Sequence, residues 1–154
     1  MSDFGFSKSQ ELTRLGLEWL KSQYTQLVEL YLVALKQTVK LPYQVNLHEQ
    51  LSYLATLQVT GMLRRLEGNT FMAEELKNAT FQVLQQGVRM QDLIGAVEEL
   101  FSILKAKIGH QWAGQPEVAE FLVRKIEYIV HLIEATIAAA VIHEGVTIAQ
   151  TSSL

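Results

Sequence analysis

The sequence predicts an all-α domain of about five to six helices, the last two of them long. Apolar residues recur at spacings of three and four along most of the 154-residue chain, whereas a half-buried strand would alternate apolar and polar residues. The two prolines, Pro42 and Pro116, both stand at predicted helix boundaries. With 49% hydrophobic residues and no internal repeat or linker, residues 1–154 are expected to form one domain.

The first predicted helix covers about residues 9–40, because Ser7 and Gln10 have the spacing of a capping box and an apolar stripe follows. The polar residues 21–23 interrupt that stripe, which indicates two helices with a bend between them. The second half is expected to end before Pro42, since proline disfavours helical geometry in the residue that precedes it.

The second predicted helix begins at Asn46, which forms another capping pair with Glu49. Five apolar residues and one glutamine mark its inward face: Leu47, Leu51, Leu54, Gln58, Met62 and Leu66. Gly61 lies inside this helix, where glycine costs about 1 kcal/mol relative to alanine. Either another helix approaches closely at Gly61 or the chain tolerates that cost.

The third predicted helix covers about residues 70–86, followed by Gly87 as the left-handed residue that ends it. The fourth covers about residues 90–108 and is expected to stop at Gly109. Asp92 in its first turn and Lys105 in its last turn complement the helix dipole.

The last predicted helix starts at Pro116, a favoured first helical position, and continues to about Glu144 or beyond. Residues 135–141 are apolar almost all round, and a helix of that kind is buried on every side. A second subunit is therefore expected to cover its outer face. Residues 147–154 are expected to form a frayed tail.

Composition excludes several classes of function. The net charge of −3 and the lack of a dense basic patch argue against nucleic acid, and the most apolar stretch is too short to span a membrane. The absence of cysteine removes disulfides, thiolate metal sites and thioether-linked cofactors. A cytoplasmic protein is expected, since the N-terminus has no signal-peptide pattern.

The helix order resembles the globin-like arrangement, and more narrowly the haem-less sensor globins, including the N-terminal domain of the stressosome co-antagonist (RsbR-type) family. Residues 85–94 look like the glycine-then-apolar turn of that family, residues 96–101 like the run that follows it, and residues 126–144 like its last helix. The resemblance implies a globin-like bundle, a homodimer built from the last two helices and a role in signal reception. Some relatives of this kind hold a fatty acid where haem would sit. This chain lacks the output domain that co-antagonists normally carry, so it is either a free-standing sensor or a piece of a longer protein.

The sequence offers little support for haem binding, metal binding or phosphotransfer by this chain. Residues 70–86 contain no histidine to serve as an axial haem ligand, so haem is not expected. Glu127, His131 and Glu134 share one helix face, but di-metal bundles need a second such motif, and a histidine salt-bridged to its neighbours is the simpler interpretation. His131 and His143 lie in sequences unlike those of phosphoacceptor histidines. No catalytic or metal site is predicted.

The sequence therefore predicts a non-haem sensory or interaction domain that dimerises and relays a signal to a protein partner in bacterial-type stress or kinase signalling. The alternatives are a carrier or sensor of a fatty acid or similar apolar ligand, and a haem-binding globin. A candidate pocket is assigned to Tyr31, Tyr53, Met62, Phe81 and Leu84, although such residues more often form plain core. The candidate dimer interface comprises residues of the last two helices: Leu100, Phe101, Leu104, Phe121, Ile133, Ile137 and Val141.

Overall fold

The computed structural model describes the backbone of residues 2–39 and 44–152, and the side chains of residues 10–39 and 44–142. Within these ranges the chain forms six helices and no strand. They are α1 (Ser2–Ser22), α2 (Tyr24–Thr38), α3 (Val45–Leu66), α4 (Ala73–Gln85), α5 (Met90–Gln111) and α6 (Pro116–Ser152). The prediction of an all-α chain with two long final helices is confirmed.

The bend predicted near residues 21–23 is confirmed, because α1 and α2 are separated by a turn at Gln23. Helix α1 begins at Ser2, well before the predicted start, so the capping box proposed for Ser7 and Gln10 is wrong: a residue inside a helix does not cap it. The predicted turn at residues 41–43 lies outside the described residues.

Helix α3 starts at Val45, with Gln44 as its N-cap and no capping hydrogen bond from the Gln44 side chain. The capping pair predicted for Asn46 and Glu49 is therefore wrong, because the N-cap lies two residues earlier. Helix α3 ends at Leu66, and Gly68 in the turn that follows adopts a φ of 86°, a left-handed conformation that favours glycine.

Gly61 is explained by a close approach, although not by another helix. A Cβ atom at this position would lie 2.7 Å from the carbonyl oxygen of Phe71, in the connection between α3 and α4. That connection folds back over α3, and α4 then starts at Ala73, three residues later than predicted. The residue before it, Met72, has a φ of 66°.

The later boundaries agree more closely with the sequence. Gly87 has a φ of 98° after α4, as predicted, and α6 begins at Pro116. Helix α5 passes through Gly109 to Gln111, so the stop predicted at Gly109 was wrong. The tail predicted over residues 147–154 overlaps the end of α6, where side chains are not described.

Helix α6 is the centre of the bundle, since it packs against α1, α3, α4 and α5, while α2 packs against α3 and α5. The core between them is almost entirely aliphatic, and Gln58 and Thr80 are the polar residues buried among the described side chains. Across that same part of the chain, helices with the length and apolar character of a membrane span are absent.

Candidate functional site

Four of the five predicted pocket residues lie inside the bundle or at its edge. Tyr31 is fully buried, Met62 and Leu84 are buried, and Phe81 is half-buried. Tyr53 is 54% exposed on the outside of α3, so assigning it to an interior pocket was wrong. The alternation of faces along α3 explains the error, because Tyr53 is out of step with the inward residues Leu54 and Gln58.

The distinctive feature of the interior is a buried polar pair formed by Tyr31 on α2 and Gln58 on α3. The Tyr31 side chain has no solvent exposure and Gln58 is 2% exposed. The Tyr31 hydroxyl lies beside the Gln58 side chain, but neither it nor the two polar atoms of the Gln58 amide, Oε1 and Nε2, makes a hydrogen bond of good geometry. Buried polar groups are normally paired, so three unpaired atoms on neighbouring side chains call for a physical explanation.

The electrostatic state of Tyr31 follows from its position. Burial raises the pKa of the Tyr31 hydroxyl far above its ordinary value, and the neighbouring Gln58 side chain offsets a part of that rise. The hydroxyl is therefore protonated throughout the physiological range. A protonated hydroxyl can donate one hydrogen bond and accept others, and the amide of Gln58 can also do both.

A cavity adjoins Gln58 where α3 faces α5 and α6. The space open to a water molecule is about 20 Å³, and its walls come from all three helices: Gln58, Val59, Met62, Val97, Leu100, Phe101, Leu104, Ile126, Val130 and Ile133. The Gln58 side chain is the polar group in an otherwise apolar lining. Such a volume admits about one water molecule or another molecule of that size.

Most of the predicted dimer-interface side chains belong to the core of the protomer. Four of them are buried there: Leu100, Leu104, Ile133 and Ile137. Three are only partly buried: Phe101, Phe121 and Val141. The buried set cannot also contact a second subunit, so that part of the assignment was wrong. The sequence showed that α5 and α6 are apolar on several sides, but it did not reveal which side the rest of the bundle takes.

The outward side of α6 nevertheless carries apolar residues towards its C-terminal half. Ala135 and Ala139 are exposed, and Ile142 is 68% exposed. These residues recur at helical spacing on the face opposite the buried stripe that contains Ile133, Ile137 and Ala140. The predicted apolar outer surface therefore exists, but the residues exposed on it are Ala135, Ala139 and Ile142, none of which was assigned to the interface.

The histidines are dispersed. His110 and His131 are exposed on α5 and α6, and His48 is half-buried near the start of α3. Glu127 and His131 are both exposed on one face of α6, and the described side chains contain no group of three residues placed to hold a metal ion. His143 lies among the side chains that the structure does not describe.

Gln58 is the site residue that the pocket prediction missed. The sequence placed it on the inward face of α3, between Leu54 and Met62, where an apolar residue is expected. A glutamine at a position where the helical pattern expects an apolar residue was the signal that could have identified it. The structure shows that this glutamine is buried, as the pattern implies. No family model, curated protein or solved structure matches this chain.

Proposed function

We propose that the chain is a globin-like sensory or interaction domain that works without haem, dimerises through the outer face of α6 and relays a change in helix packing to a protein partner. The observation that carries the proposal is Gln58, a buried amide that lines the cavity and makes no hydrogen bond of good geometry. A small hydrogen-bonding molecule that pairs with Gln58 there would contact α3, α5 and α6 together. Its binding would alter the packing of the two helices that the family resemblance assigns to the dimer.

The route from the interior to the surface is short. Ile133 lines the cavity on the buried side of α6, and Ala135 is exposed on the other side of the same helix, within one turn. A rotation or displacement of α6 that enlarges the cavity must therefore move the outer face as well. Rigid helices transmit such shifts because packed interiors are not freely compressible.

The outer face supports self-association. Alanine allows two helix backbones to approach closely, and an exposed isoleucine such as Ile142 gains free energy when it is covered. Ala135 and Ala139 stand in line with Ile142 along α6. A second copy crossing α6 at this face would cover all three residues in both protomers, as the symmetry of a homodimer requires.

The carrier alternative is disfavoured for this cavity. A pocket for a drug-sized ligand or lipid occupies about 300–1,000 Å³. The cavity beside Gln58 offers about 20 Å³, so a fatty acid would fit only after a large rearrangement of α3, α5 and α6.

The haem alternative is tested directly by adding haemin to the purified protein, and a Soret band characteristic of axial histidine ligation would overturn the non-haem assignment.

Sedimentation velocity at micromolar concentration tests the dimer. We expect the unmodified chain to dimerise, and Ala135→Glu to raise the dimer dissociation constant about tenfold or more, because the interface would bury an unpaired carboxylate. Ala73→Glu is the matched control, since Ala73 is exposed on α4. A chain that remains monomeric, or an equal effect of both substitutions, removes the dimer from the proposal.

The relay is tested by changing the cavity wall and measuring the dimer dissociation constant. Gln58→Met changes the polar wall of the cavity without touching the outer face of α6, and Gln82→Met makes the same change at an exposed position on α4. We expect only Gln58→Met to shift the dimer dissociation constant, by about fivefold or more, the lower range of typical coupling between sites. Unchanged dimerisation in the Gln58 variant would show that the cavity does not communicate with α6.

A further inference from the structure

A surface groove lies where the C-terminal end of α3 meets the middle of α6, on the side of α6 that faces α3. Its volume is about 240 Å³, and its walls come from both helices and the turn after α3: Arg65, Leu66, Gly68, Lys125, Tyr128 and Ile129. We call it the α3–α6 groove. It is separate from the cavity beside Gln58, with which it shares no lining residue.

The groove contains two cationic side chains without acidic partners. Arg65 and Lys125 form no ion pair with a carboxylate of the described residues, whereas Arg14, Arg89 and Arg124 each do. The cations rest instead against aromatic rings. The Arg65 guanidinium lies 6.0 Å from the centre of the Tyr128 ring, and the Lys125 ammonium lies 5.9 Å from that of Phe121.

The remainder of the groove is apolar or amphipathic. Ile129 is buried at its base, Leu66 is half-buried, and the Tyr128 side chain is 55% exposed. Tyrosine and arginine are enriched among the residues that dominate protein–protein binding, since each combines a large contact area with directed polar groups. Gly68 has no atom within 4 Å of its potential Cβ position, so the rim at the end of α3 is open.

The charge of the groove is opposite to that of the whole chain. The chain carries a net charge of −3, but Arg65 and Lys125 present positive charge at this one place. The guanidinium of Arg65 can donate hydrogen bonds to both oxygens of a carboxylate, and the ammonium of Lys125 can contact a second acid group. Two cations are too few for a nucleic-acid footprint, which needs a broad array of phosphate contacts.

We propose that the α3–α6 groove docks an acidic segment of a protein partner, in which two carboxylates pair with Arg65 and Lys125 and an apolar side chain covers Tyr128. The inference names the chemistry of the partner in the proposed function and so rests on that function. Docking can still be measured by itself, because neither the residues that line the cavity nor Ala135, the site of the dimer variant, line the groove.

The test is an NMR titration of the isotope-labelled full chain with a synthetic peptide in which glutamate and aspartate alternate with leucine. We expect chemical-shift changes confined to the backbone amides around Arg65, Lys125 and Tyr128. The affinity for the peptide should fall as the salt concentration is raised. The double variant Arg65→Glu/Lys125→Glu should weaken binding at least tenfold. Lys36→Glu, an exposed cation on α2, is the control and should leave the affinity unchanged.

Equal binding of ligands of another class, or no docking at all, would overturn the inference. If a peptide with glutamine and asparagine in place of the acids binds equally well, the groove recognises apolar residues and not carboxylates. Inorganic phosphate that shifts the same amides would indicate a small-anion site, and duplex DNA that does so would indicate a nucleic-acid surface. If docking fails while Gln58→Met still shifts dimerisation, only the groove is lost; if docking succeeds in a monomer, the dimer falls and the groove stands.

Discussion

Replacing Gln58 by methionine should stabilise the protein. Methionine has nearly the same length, flexibility and helix propensity as glutamine, so the substitution changes polarity more than shape. In the folded chain the two polar atoms of the Gln58 amide are buried, and neither makes a hydrogen bond of good geometry. In the unfolded chain they are hydrated, and folding therefore carries their desolvation cost.

The expected magnitude follows from that cost. A buried polar group left unpaired costs about 1–3 kcal/mol, so Gln58→Met is expected to raise the free energy of unfolding by about this amount. For a domain of this size each 1 kcal/mol corresponds to a rise in Tm of about 2–4 °C. Most substitutions at buried positions destabilise, so an increase would be diagnostic.

Urea unfolding followed by circular dichroism measures the change, with Gln82→Met as the control. Gln82 is exposed on α4, so its replacement should change the free energy of unfolding by no more than about 0.5 kcal/mol. A loss of more than about 1 kcal/mol in the Gln58 variant would refute the reasoning, because it would mean that the amide makes hydrogen bonds in the folded protein.

Two further predictions concern Gly61 and Tyr31. Gly61→Ala should destabilise the chain by about 1–3 kcal/mol in the same urea assay, since its Cβ would meet the carbonyl oxygen of Phe71 at 2.7 Å. Gly109→Ala, within α5 and with open space around the new methyl group, should instead stabilise by about 0.5–1 kcal/mol, and a reversed order would contradict the close approach. Tyr31 ionises in the unfolded chain near pH 10 but stays neutral in the fold, so its contribution to stability is present below that pH and lost above it. The unmodified chain should therefore lose about 1.4 kcal/mol relative to Tyr31→Phe between about pH 9 and 11, and parallel pH profiles would show that the Tyr31 pKa is not raised.

The sequence predicted those parts of the fold that depend on local chemistry. The left-handed conformation of Gly87 and the helix start at Pro116 follow from backbone sterics within one or two residues, and both are confirmed. The bend at Gln23 follows from an interruption of the apolar stripe. Capping pairs were less informative, because Ser7 and Asn46 satisfy the spacing rule at places where the helix has already begun.

The parts of the fold that depend on tertiary packing could not be predicted from the local sequence pattern. Ile137 and Ala139 are both apolar residues of α6, yet one is fully buried and the other exposed. Only the positions of the surrounding helices decide which face of an almost uniformly apolar helix is covered, so the dimer surface could not be assigned residue by residue. Gly61 presents the same problem, because its neighbour Phe71 comes from a loop rather than from a helix.

Gln58 shows why stability and function have to be considered together at this site. An all-aliphatic interior would fold more favourably, so an unpaired amide beside a cavity is a cost that folding alone does not explain. A molecule that supplied the missing hydrogen bonds would recover part of that cost on binding, and would do so only in a conformation that keeps Gln58 facing α5 and α6. The same residue would then set both the affinity for the molecule and the packing of α6. This coupling requires that Gln58→Met both raises the free energy of unfolding and alters dimerisation. If the substitution only raises the free energy of unfolding, the buried amide has no role in dimerisation.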